Sequence, residues 1–197
     1  MPPSRSAGRL RLAAESERTP LVPNAVMGML IFVFTEMMLF AGLLSAFSIV
    51  RAGAVVWPPP GQQRLPIQAT AFNTGVLVAS GVALFLAQRS FFHDRASARR
   101  PLLVSMLLGA FFVVFQGAEW VALLHEGLTL TSSNHGGFFY LIVGLHALHA
   151  LAALAVIVYT WRRLERGWLA QDQLAAAQVF WYFVVALWPV LYGVVYL

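Results

Sequence analysis

Residues 22–50 read VPNAVMGMLIFVFTEMMLFAGLLSAFSIV, a run with a single charged side chain, Glu36, near its middle. At 1.5 Å rise per residue a helix of this length exceeds the roughly 30 Å hydrocarbon thickness of a bilayer. A barrel strand would be about ten residues long and would alternate in polarity, so the run predicts a membrane-spanning α-helix. Four further apolar runs follow at 69–88, 102–124, 138–161 and 175–197. The expected fold is all-α: a polytopic membrane protein with five transmembrane helices in one bundle. Residues 21–197 form that single domain, preceded by a polar arm at 1–20.

Composition agrees with this. Of 197 residues, 59% are hydrophobic and 11% charged, with mean hydropathy +0.73, whereas soluble domains are about 45–50% apolar and about 25% charged. A water-soluble enzyme, a disordered chain and an ordinary secreted domain are excluded. The absence of Cys excludes disulfides, thiolate metal sites, Cys nucleophiles and covalent c-type haem attachment. The first run is too long for a cleavable signal h-region and reads as a retained helix.

The net charge of +5 comes from Arg alone on the basic side. Arg5, Arg9, Arg11 and Arg18 lie in the arm, Arg89, Arg95, Arg99 and Arg100 in the second connection, and Arg162, Arg163 and Arg166 in the fourth. With five spans these regions share a face, and only Arg51 and Arg64 lie opposite. The bias predicts a cytoplasmic N-terminus and a periplasmic C-terminus, and it accounts for the basic charge without nucleic acid as a partner. Small residues recur four apart at Gly75, Ala79 and Ala83, at Ala41 and Ser45, and at Gly42 and Ala46, a pattern of close helix packing or of a partner interface.

Chemistry is confined to a few polar exceptions inside the spans. Glu36 must be protonated, paired or turned toward protein, because an exposed carboxylate at that depth costs a few kcal/mol, about 2.5–3.5 on insertion scales. It reads either as a neutral hydrogen-bonded carboxyl or as a proton-active one. Gln116, Glu119 and Trp120 share one helical face, as an interfacial polar face or as an internal network with the fourth span. His146 and His149 lie one turn apart. They can hydrogen-bond between helices, notably to Glu119 or Glu36, relay protons, or contribute part of a metal or haem shell. His93, His125 and His135 fall in connections. Asn73 reads as an interhelical hydrogen bonder, Trp57-Pro58-Pro59-Pro60-Gly61 as a rigid turn, and Trp181, Tyr182 and Trp188 as belt residues. Nucleotide-binding, nucleophile-elbow and zincin motifs are absent.

Taken in order, these residues resemble subunit III of the haem–copper oxidases, cytochrome c oxidase and quinol oxidase, in its short five-helix bacterial form. Thr35-Glu36-Met37-Met38-Leu39-Phe40 is similar to the family's Ser-Glu-x-x-Phe-Phe. Trp57-Pro58-Pro59 with Gly61, then Asn73-Thr74 and Ser80-Gly81, is similar to its W-P-P-x-G, N-T and S-G landmarks. Gln116-Gly117-Ala118-Glu119-Trp120 matches Q-x-x-E-[YW]. Gly137-Phe138-Phe139, Gly144, His146 and His149 follow F-F-x-x-T-G-x-H-x-x-H, with Val143 where Thr is usual. The stretch from Trp181 to Trp188 follows W-H-F-V-D-x-x-W, with Tyr182 in place of His and Val185 in place of Asp. The first two helices of the seven-helix form have no counterpart, so their lipid contacts are not implied.

The resemblance implies a subunit of the bacterial plasma membrane with no cofactor or metal of its own. Haem and copper would reside in partner subunits, bound phospholipid would be present, and the partners would be subunit I, subunit II and a small subunit IV. Such a subunit supports stability, proton uptake and sustained turnover of subunit I. The alternatives are an accessory subunit of a nitric oxide reductase, a small membrane transporter and a b-haem protein.

Overall fold

A computed structural model describes residues 22–57, 65–127, 129, 131 and 133–197. The arm at 1–20 and Pro58, Pro59 and Gly61 lie outside these residues. The helices are α1 (Asn24–Ala52), α2 (Ile67–His93), α3 (Arg99–His125), α4 (Asn134–Glu165) and α5 (Gln171–Leu191), and a π-helical turn (Tyr192–Tyr196) extends α5. Five helices are long and apolar enough to cross a membrane. Helices α2, α3 and α4 run past the apolar stretches into the Arg-bearing ends. Apolarity marks only the length that must avoid water, whereas backbone hydrogen bonding continues wherever the residues tolerate it. His93 and His125 therefore close α2 and α3, and His135 sits in the first turn of α4 rather than in a connection.

Local chemistry sets the ends. Ser133 Oγ caps α4 by accepting from the Gly136 N–H at 3.0 Å. Gly167, at φ 74°, ends α4 in a left-handed turn, with Gly167 N–H donating to Leu164 O and Trp168 N–H to Arg163 O. Between α2 and α3 the Asp94 carboxylate accepts from Ala96 N–H, Ser97 N–H and the Ser97 hydroxyl at 2.8–3.1 Å. These bonds, the Ser97 hydroxyl first and the Ala96 amide next, hold the Asp94 carboxyl below its ordinary range.

Helices α2, α3, α4 and α5 form a ring in which each packs on the next and α5 closes back on α2, while α1 lies in the groove between α5 and α4. Only 6% of the apolar window of α1 is buried, against 50% for α5, so α5 is the central element. The face of α1 that meets the bundle carries Met29, Val33, Glu36, Phe40, Leu43 and Phe47, spaced three or four apart. Pro189 removes the N–H that would bond Val185 O. Just beyond it the chain widens into the π turn, whose Val194 carbonyl accepts from Arg51 at 3.0 Å, as does the carbonyl of Leu197 after it at 3.2 Å.

The close approaches are made by glycines outside the repeated small-residue set. Gly75 and Ala79 are exposed, as are Ala41, Gly42, Ser45 and Ala46, and of these stripes only Ala83 is buried within this chain. Instead Gly81 faces Val185, and Gly109 lies under the Trp181 ring, where a Cβ would come within 2.6 Å of Cη2. Trp181 and Trp188 are fully buried and not interfacial: their indole N–H groups donate to Ser80 Oγ at 3.1 Å and Thr74 Oγ1 at 2.9 Å. A belt position satisfies the indole N–H with water, and here α2 supplies hydroxyls in its place.

Two outcomes follow. Gly109→Ala is expected to destabilise the purified protein by about 1–3 kcal/mol through overpacking, read as a lowered thermal midpoint. Gly28→Ala, where a Cβ meets nothing within 4 Å, leaves the midpoint unchanged or raises it. The Asp94 carboxyl is depressed on folding, so its contribution is present above its unfolded pKa and is lost as pH falls through the folded one. Protection of the Ala96 and Ser97 amides, taken relative to their intrinsic exchange rate at each pH, should fall over that acidic window in the wild type and be low throughout in Asp94→Ala.

Candidate functional site

The intramembrane polar residues fall into two clusters. The first joins α1 to α4. Glu36 Oε2 stands 3.0 Å from His149 Nε2, with side chains 18% and 10% exposed. The approach is close but off the ring axis, since no aligned hydrogen bond reaches Oε2. His149 Nδ1 lies 2.8 Å from Leu145 O, and because a carbonyl only accepts, Nδ1 carries its proton. In neutral imidazole Nε2 is then bare. At this separation Nε2 and Oε2 can share one proton, as an acid beside an imidazole or a carboxylate beside an imidazolium. Both forms are neutral overall. Phe32, Phe40, Phe180 and Phe183 surround the imidazole at centroid distances of 5.6–6.4 Å, and in such apolar surroundings an unshared charge is costly.

The second cluster joins α2, α3 and the π turn. Gln116 Nε2 donates to Glu119 Oε2 at 3.1 Å and to Tyr196 OH at 3.3 Å, while Gln116 Oε1 accepts from Asn73 Nδ2 at 3.3 Å. Asn73 Nδ2 also donates to Phe112 O at 3.1 Å. The Thr70 hydroxyl reaches Pro66 O at 2.9 Å and Glu119 Oε2 at 3.2 Å, and its one proton serves one acceptor at a time. The geometry arises from two facing helices that each place polar residues three apart, Thr70 with Asn73 and Gln116 with Glu119.

A pairing of Glu119 with His146 or His149, one reading of the sequence, is not formed. Glu119 turns to α2, and His149 turns to α1. His146 belongs to neither cluster: it is 1% exposed, stacks on Trp188 at 5.0 Å and 28°, and neither ring nitrogen has a hydrogen-bond partner. Trp57 packs edge-on against Phe47 and His135 at 5.6 and 5.0 Å. Gly144 faces Trp120, whose Cη2 would lie 4.0 Å from a Cβ there. Among the described residues no group of three or more His, Cys, Asp or Glu could hold a metal ion.

Thr70, Gln178 and Tyr196 are participants that the sequence reading misses, and Thr74 and Ser80 enter it only as family landmarks. Gln178 Nε2 donates to Leu84 O at 3.2 Å. A signal existed for α2, where Thr70, Asn73, Thr74, Leu77, Ser80, Gly81 and Leu84 follow one helical face. Hydroxyls in an apolar span bond their own backbone readily, so that face did not stand out.

Gln116→Leu is expected to leave Asn73, Glu119 and Tyr196 without their shared partner, at about 1–3 kcal/mol for each group orphaned. Thermal unfolding checks this, and adding Asn73→Leu should cost less than the sum of the two single changes.

The family model described as Cytochrome c oxidase subunit III matches residues 14–197. A protein of Nocardia farcinica named Probable cytochrome c oxidase subunit 3 is 35% identical over 182 residues, covering 88% of each chain. Its namesake in Mycobacterium leprae is 34% identical over 183 residues, again covering 88% of each. Cytochrome c oxidase subunit 3 of Rattus norvegicus is 30% identical over 193 residues, 92% of this chain and 73% of the rat protein. With the apolar five-helix architecture, these matches show that the chain belongs to the cytochrome c oxidase subunit III family.

Proposed function

We propose that this subunit III lies in the bacterial plasma membrane with its N-terminus in the cytoplasm, packs against the haem–copper subunit I, and sustains its turnover and proton uptake. Family membership carries the coarser statement: the chain is the non-redox subunit III of a haem–copper oxidase, a multi-pass membrane protein that works in a complex with other oxidase subunits. Subunit II and a small subunit IV complete the proposed assembly, haem and copper belong to those partners, and phospholipid covers the exposed apolar faces. The Arg distribution supports the orientation. Arg89, Arg95, Arg99, Arg100, Arg162, Arg163 and Arg166 gather at one end of the bundle, where Arg99 Nε pairs with Glu165 at 3.3 Å, and Arg51 lies at the other.

The observation that carries the functional part is the Glu36–His149 pair. A carboxyl and an imidazole sharing one proton within an apolar jacket can exchange that proton without creating net buried charge. The two sit where α1 meets α4, so the pair also holds the peripheral helix to the bundle.

Glu36→Gln keeps the shape and removes the titrating group. In the whole oxidase, this variant is expected to complete fewer turnovers before inactivation and to show an altered pH profile, with a smaller effect on initial rate. Unchanged inactivation and an unchanged profile would leave Glu36 as a structural hydrogen bonder.

A further inference from the structure

The outer face of α2 changes character along its length. Gly75, Ala79, Val82, Leu86, Arg89 and His93 recur three or four apart and are all exposed. They lie opposite the buried Asn73, Leu77, Ser80 and Leu84, so this stripe points away from the bundle. Gly75 to Leu86 covers about 16 Å of helix axis, close to the hydrocarbon depth of one leaflet, half of roughly 30 Å. With no side chain at Gly75 and one methyl at Ala79, the stripe is shallow there. Phe72, braced edge-on against Phe115 of α3 at 6.2 Å, bounds it near mid-membrane.

At the Arg-bearing end the stripe runs into an open cleft of about 290 Å³ lined by Leu86, Arg89, Ser90, His93 and Ser97. No carboxylate is among these. Asp94 is engaged by Ala96 and Ser97 and lines the neighbouring cleft with Arg95 and Arg99. Other arginines at this end have partners: Arg99 pairs with Glu165, Arg163 bonds Tyr159, and Arg95 lies over the Phe91 ring. Arg89 has no ion pair, side-chain hydrogen bond or ring contact among the described residues. Its guanidinium suits phosphate oxygens, and Ser90 and one His93 ring nitrogen add donors. An uncompensated cation at headgroup level, continuous with an apolar track one leaflet deep, matches a molecule with both an anionic phosphate and an acyl chain.

We propose that the outer face of α2 binds one anionic phospholipid, its phosphate held by Arg89 and His93 and one acyl chain lying along Leu86, Val82, Ala79 and Gly75. The proposal rests on the placement of the bundle in a bilayer and adds to it one defined lipid site. Inorganic phosphate would leave the apolar track unused, and a partner helix would leave Arg89 uncompensated unless it brought an acid to that end.

The test uses the intact oxidase containing this subunit, stripped of lipid in detergent and titrated with phosphatidylglycerol. Native mass spectrometry should count one copy more on the wild type than on Arg89→Gln, which loses about tenfold in affinity with one charge-assisted contact. Ala79→Leu fills the track, leaves the charges in place and should weaken binding severalfold; it carries the comparison if Arg89→Gln fails to assemble. Excess inorganic phosphate should not displace the lipid. Cryo-electron microscopy should show a headgroup about 3 Å from the Arg89 guanidinium, with chain density reaching Ala79. Equal lipid counts in wild type and in whichever variant assembles, displacement by inorganic phosphate, or a partner subunit's helix on this face overturns the proposal. Subunit III assembled in the oxidase with this face bare overturns the lipid site alone, whereas its absence from the membrane-bound oxidase overturns the bilayer placement as well.

Discussion

Two indoles on α5 hold the other helices of the ring in register. Trp181 lies over Gly109 of α3 and donates to Ser80 of α2, while Trp188 stacks on His146 of α4, packs edge-on against Phe112 of α3 at 5.2 Å and donates to Thr74 of α2. Each contact demands something particular of its partner: no Cβ, a hydroxyl, a flat ring. In a hydrocarbon setting apolar contact alone discriminates poorly between helix registers, since lipid tails are as apolar as leucine. Shape and hydrogen bonding at these indoles supply that discrimination.

The same constraint explains where the polar residues gather. A buried amide or carboxyl cannot turn to solvent inside the bundle, so its partners must come from facing helices. Asn73, Gln116, Glu119, Thr70 and Tyr196 solve this at one end of the ring, Glu36 and His149 at its edge. The replacement of a family Asp by Val185 fits this pattern, because that position faces Gly81 of α2, where a methyl packs with no polar partner required.

The five helices were legible because each apolar run is longer than the hydrocarbon it must cross, and Glu36 was legible because a carboxylate in such a run has few explanations. Its partner was less so. Two Glu and two His offered several pairings, and which one forms depends on the rotation of α1, α3 and α4 about their axes, set by contacts far along the chain. The tryptophans misled for a related reason: the same side chain suits an interface and a core, and only the presence of Ser80 and Thr74 opposite decides between them. The small-residue stripes were visible, whereas the glycine under Trp181 is one isolated residue with no pattern around it.

The peripheral seat of α1 bears on how the protein is made. Its packing partners are α4 and α5, both synthesised well after it, and Arg51 meets a carbonyl 143 residues further on. At about 5–20 residues per second, on the proposed topology, the first helix waits of the order of 10 s in the bilayer with Glu36 unmatched. Docking of α1 is thus a late assembly event, and the arrival of α5 completes it.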